Sequence, residues 1–191
     1  QVGTRKTPPP LDVDEPSHLA DAVGSMNLRH AVITVVNRDD LEDSAADHYK
    51  QCLAAVAERC PEVSLELLCS DLAGDLDDLA HLLEDSPLLV FAHNVECVPR
   101  LDPIVRDPRA SFEQSLSILR EAKRLRPDIL TKSSLMVGVG ETDDEILEAM
   151  QLLRGVGVDL LTIGQYLAPS KHHLAVDRFP EPELYDIWAQ K

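Results

Sequence analysis

Two glycines, Gly138 and Gly140, stand where an apolar run gives way to acid, in the stretch 130–141, L-T-K-S-S-L-M-V-G-V-G-E. Bare backbone at such a point lets a ligand approach main-chain amides, and in parallel α/β folds ligands bind where strands end. The plain alternative is that the glycines only make a turn, since an isolated G-x-G is a weak signal. Lys132, between Thr131 and Ser133 on a run that reads as buried, needs a partner, because an unpaired buried cation is costly. Three further polar groups follow apolar runs: Asn37-Arg38-Asp39-Asp40, His93-Asn94-Val95-Glu96 and Gln165-Tyr166. Each has a bland reading too. Arg38-Asp39-Asp40 suits a solvated loop, and His93 suits a hydrogen-bonded structural histidine. His172-His173 carries no third ligand at metal spacing.

The elements needed to position these groups are legible. Thr142-Asp143-Asp144-Glu145 forms a capping box, with acid at the positive end of the helix dipole. Behind it Ile146, Met150 and Leu153 recur at helical spacing. Ser111 to Gln114 reads as a second capping box, opening a helix with Phe112, Leu116 and Leu119 inward. Ser17 is expected to cap a short helix carrying Leu19, Val23 and Met26. Tyr49, Cys52, Leu53, Val56 and Cys60 mark a helix that Pro61 stops, and Asp75 caps another carrying Leu76, Leu79, Ala80 and Leu83. Runs at 30–36 (H-A-V-I-T-V-V), 63–69, 88–92, 130–137 and 159–164 read as buried strands. Residues 1–16 read as an extended Pro-rich lead-in, 97–110 as a polar loop, and the tail holds a short last helix. Strand and helix alternate five times without repeat or linker, which predicts one α/β domain over 1–191, a parallel sheet with helices outside, either a barrel or an open doubly wound sheet. A parallel barrel gathers its strand ends, with their polar groups, on one face.

Composition narrows the function. Thirty-four acidic against 18 basic residues give a formal charge of −16, which argues against general nucleic-acid binding and against an anionic membrane surface. Three Phe, three Tyr and one Trp leave no base-stacking platform. No apolar run approaches the ~20 residues of a spanning helix. Cys52, Cys60, Cys69 and Cys97 lack C-x-x-C spacing, and the first two fall at apolar helix positions as reduced core thiols.

Five strings in order, V-I-T-V-V-N-R-D-D-L, H-N-V-E-C-V-P-R-L, V-R-D-P-R-A-S-F-E-Q-S-L, T-K-S-S-L-M-V-G-V-G-E-T and L-T-I-G-Q-Y-L-A-P-S-K-H-H-L, closely resemble the lipoyl synthase family of radical S-adenosylmethionine (SAM) enzymes. The similarity runs from about Arg5 to about Pro182. It implies a radical-SAM partial (β/α)6 TIM-like barrel, here with five parallel strands, and SAM and two 4Fe–4S clusters as cofactors of the complete enzyme. The implied reaction places two sulfur atoms, at C6 and C8, on an octanoyl chain carried by a lysine of a lipoyl carrier domain or glycine-cleavage H protein. In that reaction a 5′-deoxyadenosyl radical abstracts the hydrogens and the auxiliary cluster supplies sulfur. The implied reductant is a ferredoxin or flavodoxin. The implied compartment is the cytoplasm in a bacterium and the mitochondrion or plastid in a eukaryote.

Residue by residue, 134–141 looks like G-x-I-x-G-x-x-E, with Gly138 and Glu141 matching, Ser134 at the first glycine and Met136 at the isoleucine. Asn94 and Glu96 match H-N-x-E-T, which implies contact with the ribose and SAM; Cys97 replaces the threonine. Thr34 matches I-T-S-V near the methionine end of SAM, with Val35 at the serine. Gln165, Tyr166 and Leu167 resemble the segment beside the adenine. Lys132 joins this SAM set by its place at a strand end. Arg38, Asp39 and Arg106 are candidates on the substrate side. The family's auxiliary-cluster cysteines and its C-x₃-C-x₂-C loop lie upstream of the Pro8-Pro9-Pro10-Leu11-Asp12 segment, and its R-S-S-Y segment lies past Lys191. None of the four cysteines matches a ligand position, so the chain is expected to carry neither cluster and to be inactive alone. One rival is a cluster-free protein that binds a SAM-like nucleotide or a lipoyl domain. A weaker rival is an unrelated barrel using the glycines for phosphate.

Overall fold

The computed structural model describes residues 8–191, so residues 1–7 of the lead-in lie outside the described residues. Five strands, β1 (His30–Thr34), β2 (Ser64–Leu68), β3 (Leu88–Ala92), β4 (Leu130–Val137) and β5 (Leu160–Gln165), lie side by side in sequence order, all parallel. The helices are α1 (Glu15–Ser25), α2 (Ala46–Arg59), α3 (Leu76–Leu83), the short α4 (Asp102–Val105), α5 (Phe112–Leu125), α6 (Asp143–Gly155) and α7 (Pro182–Ala189). Strand–helix alternation with one strand order is half of a β/α barrel, its helices on the convex side.

Alternation within each strand sets the two faces. Ala31, Leu65, Leu67 and Phe91 point outward into a core shared with Val23 of α1, Leu53 and Val56 of α2 and Leu79 and Leu82 of α3. Leu135 and Val137 belong to a second core with Leu116 of α5, Ile146 and Leu153 of α6, and Trp188 of α7. On the concave face one register row joins Thr34, Leu68, Ala92, Lys132 and Leu160. No helix among the described residues is long and apolar enough to cross a membrane.

Several elements depart from expectation. The first helix starts at Glu15, within the expected lead-in, with Asp14 at its N-cap position and Pro16 in its first turn. Ser17 does not cap it; its hydroxyl donates to the Asp14 carbonyl inside the first turn. Met26 lies past the helix end and is 64% exposed. The expected buried strand over 30–36 is a five-residue edge strand whose Val32 is 52% exposed, because β1 has a neighbour on one side only. The Ser111 box is half formed: Ser111 accepts from the Gln114 amide, but the Gln114 side chain turns to Asp71 instead. The Thr142–Glu145 box is complete. The loop over 97–110 contains a 3₁₀ turn at Pro99–Leu101 and then α4.

Candidate active site at the strand ends

The ends of β1, β2 and β3 surround a cleft of about 230 Å³ that takes in Thr34, Cys69, Asp71, Asn94, Glu96 and Arg106. Thr34 is the last residue of β1, and Asn94 and Glu96 follow β3 directly. Past Ala92 the chain stays against β4: the amides of His93 and Glu96 donate to the carbonyls of Lys132 and Ser134 at 3.0 and 3.1 Å, and Glu96 bridges Leu135. Glu96 adopts a positive φ of 67°, sparsely populated for a residue with a side chain, and such strain gathers at ligand sites. That turn leaves Asn94 and Glu96 half-buried in the cleft.

Arg106 enters from the C-terminal side of α4, whose last turn sets it beside Ser115 of α5; its Nη1 donates to Ser115 Oγ at 3.0 Å. His93 is buried between the same hydroxyl and the Cys69 carbonyl, each 2.9 Å away. Burial holds its pKa below the ordinary histidine value, so it is a satisfied neutral histidine.

A second group forms where β4 and β5 end. The Glu141 carboxylate accepts from the amides of Gly138 and Val139 at 2.8 and 2.9 Å, and Arg178 stands 3.4 Å from it and 2.7 Å from Asp143. Gln165 Nε2 donates to the carbonyls of Tyr166 and Arg178, and the Asp177 amide donates to the Gly138 carbonyl. Tyr166 ties the same segment down through its hydroxyl on the Leu174 carbonyl. A strap of chain, residues 167–179, thus folds back over the glycine turn. A Cβ at Gly138 would come within 2.4 Å of Gln165 Nε2 and 2.5 Å of the Arg178 carbonyl, and its φ is +99°. The protein's own strap therefore accounts for the bareness of Gly138. At Gly140 a Cβ would meet nothing, although its φ is also positive.

Lys132 sits lower. Its ammonium lies 2.7 Å from Glu66, whose other oxygen is 3.3 Å from His30, on the concave face across β1, β2 and β4. The expected partner of Lys132 is therefore Glu66, and the pair is separate from the cleft. Ser134 shares that face between Lys132 and Met136, half-buried. Leu167 is exposed at the foot of the strap. Arg38, its side chain largely covered, pairs with Asp40 at 2.8 Å and donates to the Pro9 carbonyl, while the exposed Asp39 pairs with Arg109; neither residue lines the cleft. Sequence reading passed over Glu66, Ser115 and Arg178. A lone acid in the apolar run S-L-E-L-L was the available sign for Glu66; Ser115 and Arg178 carried none.

SAM is tested against this geometry by its donors and acceptors. Asn94, Glu96, Thr34 and Arg106 supply both signs of polar group around one cleft, which suits a zwitterionic nucleoside. An iron–sulfur cluster does not fit these residues. The four cysteines are each buried apart, burial pushes the Cys69 and Cys97 thiols up to about 12 and Cys52 to about 11, and no three metal-ligating side chains converge among the described residues.

Comparison with known proteins agrees with the architecture. Solved structures of methylornithine synthase and of coproporphyrinogen III oxidase from Escherichia coli, the latter described as a radical SAM enzyme, superpose with TM-scores of 0.71 and 0.58 at 14% and 16% identity; they cover 94% and 93% of this chain and 52% and 44% of theirs, and at that identity show the fold alone. The chain is similar to the lipoyl synthase of Halorhodospira halophila, 52% identical over 95% of this chain and 54% of the relative. It is also similar to the mitochondrial lipoyl synthase of Arthroderma otae, 45% identical over 100% of this chain and 46% of the relative. The chain spans about half the length of the curated relatives it matches. The family described as the radical SAM superfamily matches residues 1–153, four-fifths of the sequence, and the chain belongs to that superfamily.

Proposed function

We propose that this chain is the barrel body of a lipoyl synthase, which inserts two sulfur atoms, at C6 and C8, into the octanoyl chain of a lipoyl carrier domain or glycine-cleavage H protein. The observation that carries it is the cleft at the ends of β1–β3, where the residues matching the family's SAM strings, Thr34, Asn94 and Glu96, meet. Bound SAM supplies the hydrogen-abstracting power in such enzymes, with electrons from a ferredoxin or flavodoxin. This chain's part is orientation and exclusion of water. Asn94 and Glu96 would hold the ribose, Thr34 the methionine end, and Tyr166 and Leu167 the adenine side, with Gln165 and Glu141 fixing the glycine turn and its strap. Ser134 and Lys132 line the concave face below, where an acyl chain would enter. The compartment follows the source, with bacterial and mitochondrial enzymes both among the relatives.

The cysteine chemistry favours a second statement about the segment itself. The thiolates for a cluster would come from chain outside 1–191, so residues 1–191 bind SAM without cleaving it. The test reconstitutes 1–191 anaerobically with iron and sulfide, adds SAM and dithionite, and measures 5′-deoxyadenosine beside the product of the complete gene. Turnover confined to the complete product, with lipoyl formation on an octanoylated carrier, is expected. Turnover by 1–191 above the cluster-free background would refute the assignment of its cysteines, and no lipoyl product from the complete gene would refute the function.

A further inference from the structure

His93, Ser115 and Arg106 form a chain of hydrogen bonds with only one possible direction. A carbonyl oxygen can only accept, so His93 Nδ1, 2.9 Å from the Cys69 carbonyl, must carry a proton and donate it. In the neutral ring Nε2 is then an acceptor, and it takes the one hydroxyl proton of Ser115 at 2.9 Å. With that proton committed, Ser115 Oγ is left to accept from Arg106 Nη1 at 3.0 Å. His93 is 5% exposed and Ser115 fully buried, so no water competes for these bonds. The far end of the chain, the Arg106 guanidinium, lines the cleft.

Arg106 differs from most cations of this acidic protein. Among the described residues no carboxylate lies within 4.0 Å of it, although the chain carries a net charge of −16. Asp71 lines the same cleft, but its oxygens accept from Gln114 and from the Ala73 amide. A half-buried guanidinium held by a neutral hydroxyl, with donors to spare, is a seat for an anion.

We infer that His93 and Ser115 are positioning residues, which hold Arg106 in the cleft to receive the carboxylate of the amino-acid part of SAM. This rests on the SAM reading above. Protonating His93 turns Nε2 into a donor, reverses its bond with Ser115 so that the hydroxyl proton must turn elsewhere, and sets a cation beside Arg106. The groups facing the ring are Asp71, which favours protonation, and Arg106 and burial, which oppose it.

Calorimetry on the protein compares SAM with 5′-methylthioadenosine, which keeps the nucleoside and lacks the amino acid. Ser115→Ala should lower SAM affinity about tenfold and change 5′-methylthioadenosine affinity less than twofold, because a lost charge-assisted contact costs that much. In the unsubstituted protein SAM affinity should fall between pH 7.5 and 5 while 5′-methylthioadenosine affinity stays level, and His93→Gln should remove that acid limb. Equal losses for both ligands, or no loss for SAM, would overturn the inference. Nitrogen NMR of the histidines provides a ligand-free reading, and covers a Ser115→Ala variant that fails to fold. A neutral His93 protonated on Nδ1 down to pH 6 is expected, and an imidazolium or the Nε2–H tautomer at pH 6 overturns the relay. If the unsubstituted protein binds neither nucleoside, the SAM reading falls while the NMR result still decides the relay.

Discussion

The two ends of the half-barrel treat their polar residues differently. At β1–β3, Thr34, Asn94, Glu96 and Arg106 surround open space, and the groups behind them, His93 and Ser115, are buried and satisfied. At β4–β5 the strap over 167–179 occupies the strand ends, and Gly138, Glu141 and Gln165 are engaged with it. Motif residues that look equivalent in sequence thus border open space at one end and are engaged with the chain itself at the other. A bare glycine signals close approach, and here what approaches is the chain itself.

Substitutions sharpen that contrast. The largest effect is expected at Gly138→Val, where a side chain meets the Arg178 carbonyl at a φ that disfavours any Cβ. Strain and overpacking together should cost on the order of 4 kcal/mol and free the strap, seen as a lower melting temperature and faster exchange of the Asp177 amide. Gly140→Ala, with the same kind of φ and open space, should cost only about 1 kcal/mol. If the two variants melt alike, the strap does not set the requirement at Gly138.

Next comes Lys132→Met, which leaves Glu66, its side chain 6% exposed, without its closer cation. Breaking one side of a buried pair should cost about 3 kcal/mol, and adding Glu66→Gln should recover much of it. Additive losses in the double variant would contradict the pairing. If Lys132 is instead a SAM ligand, Lys132→Met lowers SAM affinity with little change in melting.

A smaller effect concerns pH. His93 has its pKa depressed by burial, so the unfolded chain binds more protons than the folded one below the ordinary histidine value. Its contribution to stability is present at neutral pH and is lost as pH falls from about 6.5 toward its folded pKa. Melting temperature should therefore decline more over that window than in His93→Gln. Equal slopes would place His93 in a solvated setting. Glu145 acts further down: Arg100 and the Thr142 amide hold its pKa at about 2, so its contribution survives to far lower pH.

The smallest effect is at the open edge. β1 and β5 each have one neighbour, and β1 exposes Val32, so edge pairing between copies is expected despite the high net charge. Sedimentation should show association rising with salt, and Val32→Lys should reduce it. A salt-independent monomer would contradict this.

Much of this was legible in the sequence. Five β-branched or aliphatic runs separated by capped helices fix the order of elements, and Thr142–Glu145 and Asp75 cap as their spacing predicts. The family strings pointed at Thr34, Asn94 and Glu96, which do come together. What was not legible depends on contacts distant in sequence. Lys132 announced that it needed a partner, but Glu66 is 66 residues away and only strand register brings it close. The role of Arg178 depends on a loop folding back 37 residues to Glu141, and no periodicity encodes that.

The central claim is that SAM sits in the β1–β3 cleft, and calorimetric titration of SAM into the protein and into Asn94→Ala tests it most directly. The account predicts saturable one-site binding that weakens at least about tenfold in Asn94→Ala at unchanged melting temperature, as expected when a ligand's hydrogen-bond partner is removed. No saturable binding to the unsubstituted protein, or equal affinity in the two proteins, would contradict it.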